Sequence, residues 1–274
     1  MRLDKPVGTY LVLWPALWAL WLAAEGTPPG LVLIVFIAGA FVMRSAGCVI
    51  NDYADRHWDG KVERTAQRPL ATGEISDKQA LMLFVLLGLI GFALVLLLNP
   101  LTIWLSLVAL ALATLYPFTK RFTHWPQLFL GAAFAWAIPM GFAAVSEQVP
   151  HQAWLVFAIA MLWTLIYDTM YAMSDRPDDL KVGIKSTAVL FGEYDKIILA
   201  SLQILMLGLL VWMGSLFQLG WPFYASLVIV AGLFAYHQWL IKDRNRQQCF
   251  AAFKHNHWAG LVILAGIIAS YSMT

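Results

Sequence analysis

Nine long apolar runs, each near the ~20 residues that a helix needs to cross a bilayer, restrict this chain more than any other feature. They fall near residues 6–24, 30–53, 78–98, 101–118, 125–145, 152–173, 196–216, 221–241 and 257–272. Pro and Gly punctuate the gaps: Pro28-Pro29-Gly30, Asn99-Pro100, Pro150 and Gly220-Trp221-Pro222. Lipid offers no partner to an open backbone polar group, so only helices or closed barrels span it. These runs are far too long for barrel strands. Composition agrees: 61% of the residues are hydrophobic and 12% charged, against about 45–50% and about 25% in a soluble domain. A water-soluble globular protein is excluded. The expected fold is all-α: a polytopic membrane bundle of nine transmembrane helices, forming a single integral membrane domain over 1–274.

The charges support both the count and a direction. Arg2 and Lys5 precede the first run; Arg56, Lys61, Arg64, Arg68 and Lys78 follow the second; Lys120 and Arg121 follow the fourth. Arg176, Lys181, Lys185 and Lys196 follow the sixth, and Lys242, Arg244, Arg246 and Lys254 the eighth. Seventeen of the 18 Lys and Arg residues thus share one side, while the alternate loops carry only Glu25 and Glu147. Positive charge is retained on the cytoplasmic side, so the N-terminus and the acidic loops are expected in the cytoplasm and the C-terminus outside. The charged start runs straight into a spanning-length segment without a small-residue cleavage site, which argues against a cleaved signal peptide. Cys48 lies in an apolar run and Cys249 in a charged loop, a placement that suits neither a disulfide nor a thiolate metal site. Runs two and six, four apart, both lead into acidic and cationic loops on the same side. That echo suggests two related four-helix halves followed by a ninth helix.

Those two loops carry the chemistry. The first reads Asn51-Asp52-Tyr53-Ala54-Asp55-Arg56-His57-Trp58-Asp59-Gly60. If the second helix continues through it, Asn51, Asp55 and Asp59 stack at i, i+4 and i+8 on one face. The second reads Tyr167-Asp168-Thr169-Met170-Tyr171-Ala172-Met173-Ser174-Asp175-Arg176-Pro177-Asp178-Asp179. Asp175 and Asp179 are again i, i+4, with Pro177, a helix breaker, between them. Two carboxylate clusters at one mouth of a bundle repel each other unless a cation holds them. Without thiolates and with few histidines, a hard oxygen-seeking ion fits, and Mg²⁺ is commonly held by one or two carboxylates plus substrate phosphates. The nearby Lys and Arg residues suit phosphate oxygens. Acid, metal and base together read as a diphosphate site; the competing reading is a pair of merely solvated acidic loops.

Arg44, the eighteenth cation, lies within the second run, seven residues before Asn51, on the same face and about 10 Å deeper at 1.5 Å per residue. Asp168 stands seven before Asp175 in the same way. Ionisable groups in the membrane line a cavity or pair with one another. Arg44 and Asp168 therefore form either a structural ion pair or, for Arg44, a receptor for an anionic group of a second substrate.

The pattern N-D-x-x-D-x-x-x-D over Asn51–Asp59, followed by R-T-x-x-R-P-L over Arg64–Leu70, resembles the UbiA family of intramembrane prenyltransferases. So does DTMYAMSDRPDDLKVGIKSTA over Asp168–Ala188, which is most similar to the branch acting on 4-hydroxybenzoate in bacterial ubiquinone synthesis. The likeness extends through Arg2–Tyr10, Tyr116–Arg121 and Phe191–Lys196, essentially the whole chain. It implies an enzyme of the bacterial inner membrane whose substrates are a polyprenyl diphosphate and 4-hydroxybenzoate, with Mg²⁺ as cofactor and no protein or nucleic-acid partner. Asn51, Asp55, Asp175 and Asp179 match positions that bind metal and diphosphate, and Asp59 closes the first motif. Lys120 and Arg121 lie where a basic residue contacts diphosphate, unless they only anchor the loop. Arg44 matches an arginine near the aromatic acid, and the ring proton is accepted by either Asp168 or the released diphosphate. Arg64, Arg68 and Lys185 are either diphosphate clamps or loop anchors, and Tyr171 either lines the cavity or packs.

Two other classes compete. A transporter explains Arg44 and Asp168 but not the paired acids beyond the membrane. A CDP-alcohol phosphotransferase motif is approached from Asp59 to Asp77, yet Arg56, Glu63 and Leu81 break it and it leaves Asp175 and Asp179 without a role. Sibling prenyltransferases of the haem O, menaquinone and chlorophyll branches share the first motif and differ at the second.

Overall fold

In the computed structural model the described residues are 4–60 and 65–273; Arg2, Lys61 and Arg64, counted above among the loop cations, lie outside them. The described residues form helices and no strand. In chain order these are α1 Val7–Ala24, α2 Gly30–Asp59, the short α3 Pro69–Thr72, α4 Asp77–Val95, α5 Pro100–Thr119, α6 Pro126–Ala135 and α7 Ala137–Ser146. There follow α8 His151–Val182, α9 Thr187–Phe191, a 3₁₀ turn at Gly192–Tyr194, α10 Asp195–Leu216, α11 Trp221–Ile241 and α12 Arg246–Ser272.

Local sequence explains the boundaries. Ser76 opens α4 with a reciprocal capping box, its hydroxyl accepting from the Gln79 amide while the Gln79 side chain accepts from the Ser76 amide. Asn99 caps α5 ahead of Pro100, whose fixed φ suits a first helical position. Asn245 caps α12 through the amides of Gln247 and Gln248. The α6–α7 break at Trp136 has its cause in Pro139, which has no N–H for the Ala135 carbonyl four residues earlier. Pro177 does not end α8. The helix runs on to Val182 and stops at Gly183, which takes the left-handed φ of 75° that only glycine adopts without strain.

Eight segments among the described residues are long and apolar enough to cross a bilayer: α1, α2, α4, α5, α6–α7 together, α8, α9–α10 together, and α11. The chain is thus an integral membrane protein. The expected ninth span, 257–272, lies inside α12, and α12 does not meet that standard because Lys254, His255, Asn256 and His257 interrupt it. So eight helices, not nine, qualify by length and apolarity. Two of the polar α12 side chains find partners inside the bundle through one nitrogen each, while Asn256 Oδ1 is buried without one. His255 Nδ1 is 3.0 Å from His237 Nε2 on α11, and Asn256 Nδ2 donates to the Ala252 carbonyl at 2.8 Å, as the absence of water in lipid requires.

The long helices close a ring. α1 packs on α2, α2 on α4, α4 on α5, α5 on α6, α6 on α8, α8 on α10, α10 on α11, α11 on α12, and α12 returns to α1. One side of the ring is solid. There Trp18 of α1, fully buried, donates its Nε1 hydrogen to the Gly260 carbonyl of α12 at 3.0 Å and tilts against Trp163 of α8, centroids 5.4 Å apart. Gly260 is glycine for space. A Cβ there would sit 2.5 Å from Trp163 and 2.6 Å from Trp14. Outward, large apolar side chains such as Ile34, Leu89, Trp104, Ile204 and Val228 are left open, an apolar surface far larger than a water-soluble monomer tolerates and suited to lipid.

Candidate active site

The other side of the ring encloses a chamber of about 1640 Å³ walled by α1, α2, α4, α5, α6, α7, α8 and α12. Its two acidic sides come from the two longest helices, α2 with 30 residues and α8 with 32. Because both stay helical through their motifs, residues seven and eleven apart return to one face. Arg44, Asn51, Asp55 and Asp59 of α2 face the chamber, and so do Asp168, Asp175 and Asp179 of α8. α5 contributes Tyr116, and Lys120 follows at its end.

The α2 motif is held by long-range and local contacts. Tyr116 donates its hydroxyl hydrogen to Asn51 Oδ1 at 3.0 Å, and Lys120 Nζ lies 2.7 Å from Asp55 Oδ2. Burial opposes the charge on Lys120, but the Asp55 carboxylate and the hydrogen bond to it hold the ammonium above the usual lysine range. Lys120 therefore stays charged beside the carboxylate. Asp59 is 4% exposed. Arg68 Nη1 donates to both Asp59 oxygens at 2.8 Å and lies 3.1 Å from Asp52 Oδ1, while Thr65 Oγ1 donates to the Asp59 carbonyl. Arg68 and Asp59 thus fasten the loop onto the end of α2. Arg121 does not line the chamber. It is exposed, donates to the Ala54 carbonyl at 2.7 Å, and lays its guanidinium over the rings of Trp58 and Phe118.

In the α8 motif the acids divide. Asp175 and Asp179 line the chamber, whereas Asp178 turns away into a two-pronged pair with Arg246 of α12, Nη1–Oδ2 2.9 Å and Nη2–Oδ1 2.8 Å. Arg176, the neighbour of Asp175, donates to the Gly192 carbonyl at 3.0 Å and, with Arg244, clasps the fully buried Asp195 at the start of α10. These pairs fix the end of α8 from two sides. Lys185 and Tyr171 also line the chamber, Lys185 reaching the Phe122 carbonyl at 3.5 Å and Tyr171 packing 4.8 Å from the Phe253 ring of α12.

Deeper in, Arg44 and Asp168 line the chamber. Beyond them the wall turns apolar, with Leu94 and Val95 of α4, Leu107 and Leu110 of α5, Phe134 of α6 and Met140 of α7. Sequence reading missed Asp52, Tyr116 and the Asp178–Arg246 pair. Asp52 and Asp178, inside the two motifs, carried a local signal. Tyr116 and Arg246 meet their partners across 65 and 68 residues of chain.

A metal has no ready-made cage here. Among the described residues no three His, Cys, Asp or Glu side chains come together closely enough to hold an ion. The donor set is nonetheless all oxygen: Asn51 and Asp55 on one helix, Asp175 and Asp179 on the other, facing one cavity with Lys120 beside them. Such a set fits Mg²⁺, which keeps several non-protein oxygens and is usually completed by substrate phosphates.

A helical ring around a chamber with two acidic helix ends and an apolar depth defines an intramembrane protein built for a ligand charged at one end and apolar along the rest. The chain matches the family model described as the UbiA prenyltransferase family over residues 12–260, and it belongs to that family. It is 60% identical over 267 residues to the 4-hydroxybenzoate octaprenyltransferase of Hydrogenovibrio crunogenus, covering 97% of this chain and 94% of that one. With the enzyme of the same name from Yersinia pseudotuberculosis it shares 57% over 271 residues, 99% of this chain and 94% of that one. Among solved structures, the apo UbiA homologue from Aeropyrum pernix superposes with a TM-score of 0.86 at 26% identity, each chain covered in full. A UbiA homologue from Archaeoglobus fulgidus bound to GPP and Mg²⁺ superposes at 0.71 with 19% identity and 98% of both chains covered, which bears on the fold.

Proposed function

We propose that this protein transfers a polyprenyl group from polyprenyl diphosphate to 4-hydroxybenzoate, onto the ring carbon ortho to the hydroxyl, as a membrane step of ubiquinone synthesis. One observation carries the reading. Two separate acidic helix faces, Asn51/Asp55 on α2 and Asp175/Asp179 on α8, open onto one chamber that becomes apolar with depth. The diphosphate head belongs between those faces and the isoprenoid tail along the wall of Leu94, Val95, Leu107, Leu110, Phe134 and Met140. The names and ligands of the relatives agree with both substrates.

Each residue then has a task. Asn51, Asp55, Asp175 and Asp179 would hold Mg²⁺ together with the diphosphate oxygens. When bound, the metal supplies Lewis-acid stabilisation of the departing diphosphate. Lys120, fixed against Asp55, adds a preorganised positive charge on the same leaving group. Arg44 receives the benzoate carboxylate through its planar fork. As the allylic C–O bond breaks, diphosphate takes the electron pair, and the ring carbon beside the phenol hydroxyl forms the new bond to the allylic carbon. The ring proton leaves last. Asp168 is the chamber carboxylate that stands with Arg44, seven residues deeper than Asp175, and is placed to accept it on a carboxylate oxygen. The apolar wall excludes water that would quench the allylic cation.

The acidic loops are assigned to the cytoplasmic side of a bacterial inner membrane, on the strength of the one-sided Lys and Arg distribution. The test is Asp55→Ala and Asp175→Ala, assayed in membranes with geranyl diphosphate, Mg²⁺ and a panel of aromatic acceptors. Each variant should insert and fold yet lose turnover with 4-hydroxybenzoate. Near wild-type rates in either would disprove the paired site.

A further inference from the structure

We infer that Gly8 of α1 is a positioning residue for the acceptor carboxylate, because it supplies the flat surface against which the Arg44 guanidinium is held. The inference rests on the reading of Arg44 as the carboxylate receptor. Gly8 lies in the first turn of α1 and lines the chamber beside Arg44. A Cβ added to it would run into Nε and Nη2 of Arg44 and stand 2.7 Å from Cζ. All three atoms belong to the guanidinium, so its Nε–Cζ–Nη2 edge, and not its tip alone, lies beside the α1 backbone at Gly8. Among the described residues these are the three heavy atoms nearest to that position.

Backbone conformation does not explain this glycine. The glycines with positive φ are Gly26, Gly73, Gly183 and Gly192, so Gly8 adopts a helical geometry open to any residue. Near a helix start, alanine is the better helix former. What glycine contributes here is room. Gly39 and Gly47 of α2 and Gly88 of α4 also line the chamber, and at each the Cβ would meet nothing within 4 Å. Gly8 differs from them in being filled by one functional group. An alanine methyl there must push the guanidinium into the chamber, because the methyl is fixed to the helix and the fork ends a flexible stem. That moves the fork relative to Tyr116 and Asp168, and so relative to the phenol end of a ring whose carboxylate it holds.

The experiment is a double-substitution cycle in membranes with wild type, Gly8→Ala, Arg44→Ala and the double variant, reading KM for 4-hydroxybenzoate and for geranyl diphosphate separately, with thermal stability alongside. Gly8→Ala should raise the acceptor KM about ten- to a hundredfold, the scale that ångström misplacement produces, and leave the diphosphate KM and stability near wild type. On the Arg44→Ala background it should add nothing, since coupled residues are not additive. If Gly8→Ala changes both KM values and the melting temperature equally in both backgrounds, Gly8 serves only the packing of α1 and the inference fails. If Arg44→Ala raises the acceptor KM and Gly8→Ala does not, the inference fails while the reading of Arg44 stands. If Arg44→Ala leaves the acceptor KM unchanged, both fall.

Discussion

Arg68 is the residue where a structural and a catalytic role separate most cleanly. Its side chain is 12% exposed and its guanidinium faces two carboxylates, Asp59 at 6% and Asp52 at 13% side-chain exposure, at 2.8 and 3.1 Å. So little solvent reaches the three groups that the discount applied to surface pairs does not hold. Arg68→Ala strands Asp59 beside Asp52 and Asp55, all lining one chamber. Removing one partner of a buried pair costs about 3–5 kcal/mol, because the remaining charge is left uncompensated. For a chain of this size that corresponds to a fall in melting temperature on the order of 10 °C. The assay is thermal unfolding of detergent-purified protein, with turnover measured well below the new transition. Arg68→Ala should melt early, and Asp59→Asn with Arg68→Gln should recover most of the loss, since two neutral amides and carbonyls keep the shape without a stranded charge. If Arg68→Ala melts like wild type but raises the KM for prenyl diphosphate, Arg68 is a diphosphate clamp and the fastening described here is wrong.

Removing divalent ions with excess EDTA should abolish turnover, and Mg²⁺ should restore it; full turnover in EDTA would refute a metal held by Asn51, Asp55, Asp175 and Asp179. Cysteines placed at Glu74 and Lys181, both exposed, should be labelled by an impermeant reagent only from the cytoplasmic side of sealed vesicles, and labelling from outside would overturn the assigned orientation. Ser76 is unsuited to this probe because its hydroxyl caps α4, whereas the native Cys48 and Cys249 are buried and leave a quiet background.

What could be read from the sequence followed the range of the interactions. Nine runs were read as spans because lipid demands continuous apolarity, a local property. The last of them, 257–272, is the one that does not qualify, since Lys254, His255, Asn256 and His257 break the apolar run of α12, and the pairing of His255 with His237 is settled only by packing against α11. The Asn51, Asp55 and Asp59 face followed from helical period, and so did the Asp175 and Asp179 face once α8 carried its helix past Pro177. The partners of those acids did not. Lys120 and Arg121 are adjacent and chemically alike, yet one reaches Asp55 and the other turns to Ala54 and Trp58. Which of two neighbours enters a chamber depends on where the α5 helix ends against α2, and no local pattern encodes that. Arg68 and Asp59, nine residues apart, were close enough to be linked from sequence, but a loop cation beside an acid motif fits a clamp as well as a fastening.

The placement of the acids at the far ends of the longest helices suits the substrates proposed above. At 1.5 Å per residue, the 30 residues of α2 and the 32 of α8 span about 45 and 48 Å, against about 30 Å for the hydrocarbon core. Each helix is therefore longer than the core by two or more turns, and the acid motifs of both lie toward their C-terminal ends. A diphosphate and its metal are far too polar for the hydrocarbon layer, while a polyprenyl tail is insoluble in water. A helix that spans the lipid and continues past it holds both environments on one rigid axis. Arg44 and Asp168, seven residues below the motifs on the same two helices, then mark the level where an allylic carbon attached to the diphosphate would sit. On the proposed reading of Arg44, an acceptor ring held there by its carboxylate would stand close to that carbon, because both levels are set on the same two helices.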